Sequence, residues 1–227
     1  MTSAIIVAGG KGTRMGQNVD KLFLELAGRP LIAHTWGRFD QSQSIDAIVL
    51  VVRAGMEATY RDLAKRFQFT KPFQIALGGQ ERQDSVWNGL MAVSNATEIV
   101  AIQDAARPCT SEELIRAVVE AARQSGAAVA AQRVTDTIKE SDDSSFIQRT
   151  VDRSRLWSVQ TPQAFRVNVI RRALEAVRRA QAAITDDTAA CELIGQPVKL
   201  VESTAPNPKA TSQADLPYLE LLLGRLT

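Results

Sequence analysis

Residues Ser3-Ala-Ile-Ile-Val-Ala-Gly-Gly-Lys-Gly-Thr-Arg-Met-Gly16, SAIIVAGGKGTRMG, decide how the rest of the chain is read. An unbroken apolar run passes directly into glycines and two cations. Consecutive apolar positions fit a strand buried on both faces, as in a parallel sheet covered by helices. Glycines at the strand's end let the backbone come close to a ligand and point amide hydrogens at its oxygens. Lys11 and Arg14, with Lys21 a few residues on, add positive charge, so a polyphosphate suits the loop. A glycine-rich turn with exposed basic side chains is the plain alternative. Two familiar templates nearly fit and then fail, the Walker A loop also because no glycine lies five positions before Gly10. A Walker A loop needs Ser or Thr after Gly10-Lys11, where Gly12 stands, and a dinucleotide fingerprint needs a third glycine where Met15 stands. Arg53 follows the second strand, where an acid would hold a ribose.

Outward from this stretch, short apolar runs alternate with helix-length amphipathic segments. Strands are expected at 3–7, 46–52, 73–77, 98–103 and 126–131, and helices near 30–39, 56–67, 82–94, 111–124, 167–181 and 213–224. Thr110 or Ser111 is the cap of the fourth helix, with Glu112 and Glu113 in its first turn. The alternation implies right-handed crossovers and a doubly wound, mostly parallel α/β sheet. Ligands bind such sheets beyond the carboxyl ends of the strands. Three suggestive stretches fall there: the glycine loop, Gly78-Gly-Gln-Glu-Arg82 and Asp104-Ala-Ala-Arg107. Residues about 134–157 break the pattern as two short strands around the polar turn Lys139–Ser145, a projecting hairpin arm. Such an arm is marginal alone and needs a surface to rest on.

Composition excludes several classes. The 227 residues, 45% hydrophobic and 23% charged, suit a folded globular chain, read as one domain over 1–227 with the arm inside it. A net charge of +2 gives no argument for nucleic acid or membrane. Cys109 and Cys191 lie too far apart in sequence for ligand spacing, which points to a reduced, cytoplasmic setting. The apolar start is too short for a signal core or a span. His34 is the only histidine, so it has no second histidine to complete a site and reads as a packing or hydrogen-bonding residue of a helix.

Ala8-Gly-Gly-Lys-Gly-Thr-Arg-Met-Gly16 with Lys21 resembles the opening of the sugar-phosphate nucleotidyltransferases, and more narrowly the 2-C-methyl-D-erythritol 4-phosphate cytidylyltransferases. The resemblance runs nearly end to end. Gly78–Val86, Asp104–Pro108, Asp136–Lys139, Thr150–Arg153 with Leu156-Trp157, Thr161–Gln163, Ile184–Asp186 and Asn207–Lys209 follow in the family's order. It implies transfer of CMP from CTP to a polyol phosphate in isoprenoid precursor synthesis, with release of pyrophosphate. The attacking phosphate oxygen is already anionic, so the site must supply positioning and positive charge rather than a base.

The family's catalytic positions fall on Arg14, Lys21 and Lys209. Its nucleotide positions fall on Ala8, Gly9, Gly10, Gly79, Arg82, Ser85 and Ala105. Its polyol-phosphate positions fall on Arg107, Thr137, Arg153, Thr161 and Thr185. Asp104, at the end of a buried strand, is the candidate ligand for Mg²⁺ or another divalent cation; an Asp making a turn is the alternative. The resemblance also implies a homodimer in which the arm carries Thr137 and Arg153 to the neighbouring subunit's site. Three departures from the family pattern stand out: Asp20-Lys21-Leu22 for Pro-Lys-Gln, Gln80 for Asp, and Pro206-Asn-Pro-Lys209 for Asp-Asn-Ile-Lys. Two other functions remain open on sequence: a sister enzyme acting on ribitol 5-phosphate, and a CTP-binding homologue without catalysis.

Overall fold

The computed structural model describes residues 1–10 and 20–225. In chain order the strands are β1 (Thr2–Ala8), β2 (Glu25–Leu26), β3 (Arg29–Pro30), β4 (Ala47–Val52), β5 (Phe73–Leu77), β6 (Ile99–Asp104), β7 (Ala127–Arg133), β8 (Ile138–Ser141), β9 (Ile147–Val151), β10 (Trp157–Arg166) and β11 (Lys199–Glu202). The helices are α1 (Leu31–Gln41), α2 (Glu57–Phe67), α3 (Arg82–Ala92), α4 (Glu112–Ser125), α5 (Val167–Ala180), α6 (Asp187–Leu193) and α7 (Leu216–Gly224). Seven strands form one sheet in the order β11-β7-β10-β6-β1-β4-β5. Every neighbouring pair is parallel except those of β10, which runs antiparallel to both β6 and β7.

The five expected strands and six expected helices are present, with ends shifted by a few residues; the last helix begins at Leu216 after a short 3-10 turn at 213–215. Four elements carry no sequence expectation: β10, β11, α6 and the two-residue ladder β2–β3. Their segments lack the periodic signal. β10 is interrupted by Pro162 and a bulge between Val159 and Gln163, while β11 is a short, largely exposed edge strand. Half-polar β10 is buried only from Gln160 to Phe165.

Alternation along β1 divides its side chains between two cores. Ala4 and Ile6 join one cluster with α1, α4 and α7, while Ile5 joins the other with α3 and α5. Gly89 brings α3 unusually close to the sheet. A Cβ there would lie 2.6 Å from Ile5 and 2.8 Å from Val51, so only glycine fits without a shift. That closeness places the start of α3, with Arg82 and Ser85, beside the ends of β1 and β6. α4 is capped by Ser111, whose hydroxyl accepts from Leu114 N–H at 3.2 Å, and ends at Gly126 with φ of 89°, a left-handed turn that glycine tolerates. The chain leaves β1 toward β4 and β5, then returns to β6 on the other side. The crevice lies at this reversal, between the carboxyl ends of β1 and β6. The hairpin β8–β9 forms a separate two-stranded sheet with exposed Phe146 and Ile147 at its tip.

Candidate active site

A cleft of about 340 Å³ opens at that reversal. Ala8, Gly9 and Gly10 from the end of β1, Gly79 and Arg82 from the approach to α3, Asp104 and Ala105 from the end of β6, and Lys21 and Lys209 line it. The predicted nucleotide residues therefore share one cavity with two of the three predicted catalytic cations. Arg14 lies outside the described residues, as does Lys11.

Glycine is required where the wall is thinnest. A Cβ on Gly79 would sit 2.2 Å from the Asp84 Cβ. The loop is held by reciprocal caps: Glu81 and Asp84 form a capping box at the start of α3. Ser85 accepts the Gly79 N–H at 3.0 Å and donates to the Glu81 carbonyl at 3.2 Å. Ala105 and Ala106 are buried and small, and Thr35 donates to the Ala105 carbonyl at 2.7 Å.

Asp104 is the electrostatic centre. Lys209 Nζ lies 2.8 Å from Oδ2, Arg107 Nε 3.6 Å from the same oxygen, and Arg82 Nε 3.7 Å from Oδ1. Burial pushes the Asp104 carboxyl up, but the charges of Lys209 and Arg82 outweigh it and hold it below the usual carboxylate range. Burial disfavours the Arg82 cation, yet Asp187 and then Asp104 hold its proton more tightly than usual. Arg107 moves the other way, because its own burial exceeds the pull of Asp104.

Residue 209 reaches this centre because the chain from 203 to 211 threads back over the strand ends. The Ser203 N–H donates to Ala131 O and the Ala210 N–H to Ala106 O, each at 2.8 Å. Asn207 is the pivot of this segment. Its amide donates to Thr161 O at 2.8 Å and Gln160 Oε1 at 3.1 Å, its side-chain oxygen accepts from Thr110, and its carbonyl accepts from Arg107 Nη1 at 2.7 Å. Pro208 therefore sits between two anchored residues. Lys21 Nζ donates to Ala210 O at 2.9 Å, which ties the start of the chain to the same segment.

Asp20, the acid beside Lys21, is engaged elsewhere. It pairs with Arg53 at the end of β4 and caps the 3-10 turn Lys21–Phe23 by accepting the Leu22 N–H at 3.2 Å. Phe23 stacks edge-on against buried Tyr60, whose hydroxyl burial pushes upward in pKa.

The predicted polyol residues divide into two groups. Arg107 and Thr161 adjoin the cleft and are already bonded: the Thr161 hydroxyl accepts the Asp104 N–H at 3.1 Å. Thr185 is exposed just before α6. Thr137 and Arg153 are exposed on the arm, where Arg153 donates to Thr135 O, and neither lines the cleft of its own chain. His34 contacts Leu26 O at 2.7 Å and lies away from the cleft, a supporting residue as its isolation in the sequence implied. Both cysteines are free and buried, with thiol pKa values pushed up to about 11 for Cys109 and about 12 for Cys191 by burial.

Sequence reasoning missed Asp187. It is fully buried and pairs with Arg82 Nη2 at 2.7 Å. The signal available was Asp186, a helix-capping residue three positions before Ala189, whose N–H it accepts at 3.0 Å. Among the described residues no group of three metal-binding side chains occurs, and no helix is long and apolar enough to cross a membrane.

A family model described as IspD, 2-C-methyl-D-erythritol 4-phosphate cytidylyltransferase, matches residues 2–225. A protein of that name from Geobacillus kaustophilus is 44% identical over 221 residues, covering 97% of this chain and 96% of the relative. One from Pelotomaculum thermopropionicum is 42% identical, covering 99% and 96%. Among solved structures, 4-diphosphocytidyl-2C-methyl-D-erythritol synthase from Anaerococcus prevotii superposes with a TM-score of 0.87 at 30% identity, covering 99% and 98%. The cytidylyltransferase from Thermus thermophilus gives 0.79 at 31%, covering 97% and 98%.

Proposed function

The chain belongs to the 2-C-methyl-D-erythritol 4-phosphate cytidylyltransferase family, and on that premise we propose that the cleft at the reversal of its sheet is where the reaction occurs. The enzyme transfers CMP from CTP to 2-C-methyl-D-erythritol 4-phosphate in isoprenoid biosynthesis. A phosphate oxygen of the polyol attacks the α-phosphorus, a new P–O bond forms, and the bond to the β-phosphate breaks to release pyrophosphate. The observation that carries the site assignment is the gathering of Lys209, Arg82 and Arg107 around Asp104, in a cleft that Lys21 and the glycine wall also line.

In this reading Gly9, Gly10, Gly79 and Ser85 shape the nucleotide pocket, and Ala8 and Ala105 let the ligand approach closely. Lys21 and Lys209, with Arg14 from outside the described residues, offset charge that grows on the phosphorus oxygens in the transition state. Arg107, Thr161 and Thr185 face the polyol phosphate. Asp104 suits a divalent cation: its carboxyl is held ionised at the cleft, and Mg²⁺ commonly takes one or two carboxylates and fills its shell with phosphate oxygens and water. When bound, Mg²⁺ supplies charge neutralisation at the phosphates. Lys209 and the arginines carry the counter-charge to Asp104 without it.

Residues 1–227 are read as one nucleotidyltransferase unit, with about 134–157 as its arm. Thr137 and Arg153 then serve the cleft of a second copy; in support, both are exposed and neither lines the cleft of its own chain. The free, buried cysteines support a reducing, cytoplasmic setting.

The test is pyrophosphate release from purified protein with CTP, Mg²⁺ and each polyol phosphate. Release is expected with 2-C-methyl-D-erythritol 4-phosphate. Release with ribitol 5-phosphate alone, or CTP binding with no turnover, overturns this function.

A further inference from the structure

We propose that Asp187 is a positioning residue that ties the nucleotide loop to the polyol-phosphate subsite by holding Arg82. The inference rests on the function proposed above. Asp187 opens α6, directly after Thr185 and Asp186, and its side chain is fully buried. Oδ2 takes Arg82 Nη2 at 2.7 Å, whereas Oδ1 has no hydrogen-bond partner among the described residues. Its charge is thus directed at one guanidinium. Arg82 begins α3, immediately after the glycine wall, and lines the cleft.

Three carboxylates act on that guanidinium: Asp187, Asp104 and Asp186. Asp104 is the nearest rival, at 3.7 Å from Nε. With Asp187 removed, Asp104 and Asp186 remain, and Arg82 is drawn toward Asp104, the carboxylate in the cleft that it already faces. With Asp187 in place, the planar fork is fixed on one side and only its Nε edge faces Asp104.

The other end of the tie is equally specific. The Asp187 N–H donates to Gln163 Oε1 at 3.1 Å, and Gln163 Nε2 donates to Asp186 Oδ2 at 2.9 Å. Gln83, next to Arg82, accepts the Ile184 N–H and donates to Ala182 O, both at 3.4 Å. Two adjacent residues of α3 therefore hold both flanks of Thr185. A buried ion pair adds little net stability over an apolar pair of the same volume. Its contribution here is geometric: the two substrate subsites keep a fixed spacing, and reacting groups misplaced by about 1 Å lose on the order of 100-fold in rate.

Steady-state kinetics on the full chain test this with Asp187→Asn, Arg82→Gln and the double variant, normalised to folded protein by circular dichroism. Asp187→Asn is expected to lower kcat/KM for CTP on the order of 10- to 100-fold and to raise the KM for 2-C-methyl-D-erythritol 4-phosphate. The double variant should match Arg82→Gln alone within about twofold, because the two residues act as a unit. Wild-type constants per folded Asp187→Asn enzyme, or a full additional loss in the double variant, overturn the proposal. If Asp187→Asn does not fold, Arg82→Gln decides: it must raise the polyol-phosphate KM as well as that for CTP, and an unchanged polyol KM overturns the tie. A wild-type chain that turns over neither polyol overturns the functional reading, and this proposal with it. An active wild type beside an indifferent variant overturns the proposal alone.

Discussion

Lys209 stands nearly two hundred residues from the glycine loop, yet its ammonium is 2.8 Å from Asp104 at the mouth of β6. Its side chain remains partly exposed, so it can leave that carboxylate for a phosphate. Lys209→Ala should cut kcat about 100- to 1,000-fold, as for other single donors to a transition-state charge, with a smaller change in CTP affinity. Single-turnover kinetics beside CTP titration check the split; a wild-type rate excludes the role. Asp104 makes a separate prediction. Its folded pKa lies below the unfolded value of about 3.9, so its ionisation contributes stability fully present above that pH and lost as pH falls through the folded value. The stability gap between wild type and Asp104→Asn should hold from neutral pH to about 4 and narrow below it, as urea melts at several pH values would report. Of these residues, elementary reasoning reached Asp104 through its place at the end of a buried strand, whereas Lys209 was reached only through the family resemblance. Asp187 was not reached, and Gln163 and Asn207 were matched only as members of family blocks, with no role assigned. Their roles come from partners tens of residues away, and no local spacing encodes that.

At the scale of elements, the 3-10 turn Lys21–Phe23 answers the question raised by the missing proline. Asp20 has φ of −77°, inside the range that proline imposes, and its carboxylate is spent on Arg53 and the Leu22 N–H. An ion pair and a cap thus fix the entry that a ring fixes elsewhere in the family. Arg53→Ala should release Asp20 beside Lys21 and lower kcat/KM for CTP on the order of 10-fold, while costing no more than about 1 kcal/mol of stability, as expected for a partly exposed pair. Asp20→Pro in the Arg53→Ala background should recover most of that loss. No recovery would mean that Arg53 acts by some route other than Asp20. The turn itself was hidden in the sequence because three residues carry no period. Shortness also hid α6 and β11, whereas Pro162 and the bulge before Gln163 broke the pattern of β10. The helices and strands that were legible, such as α4 with its Ser111 cap and β4 with its run of apolar residues, are those whose local pattern and tertiary burial agree.

At the scale of the whole molecule, the hairpin β8–β9 poses the remaining question. Its strands are almost wholly exposed, it pairs with no strand of the main sheet, and the exposed Thr137 and Arg153 that flank it do not line the cleft of their own chain. A two-stranded ribbon of this kind is marginally stable without a partner surface, and Phe146 and Ile147 expose apolar area at its tip. A symmetric pair of chains solves both problems, because each arm then rests on the other subunit. The proposal separates cleanly from an arm that serves its own cleft. Arg153→Ala and Lys209→Ala chains, each nearly inactive alone, would be co-expressed with different tags. In a mixed dimer with exchanged arms, the Arg153→Ala chain keeps its own Lys209 and receives an intact Arg153 from its neighbour, so one of two sites is whole. Random mixing should therefore restore about a quarter of wild-type activity, since about half the dimers are mixed. If each arm serves its own cleft, both sites of the mixed dimer carry a lesion, and co-expression restores nothing.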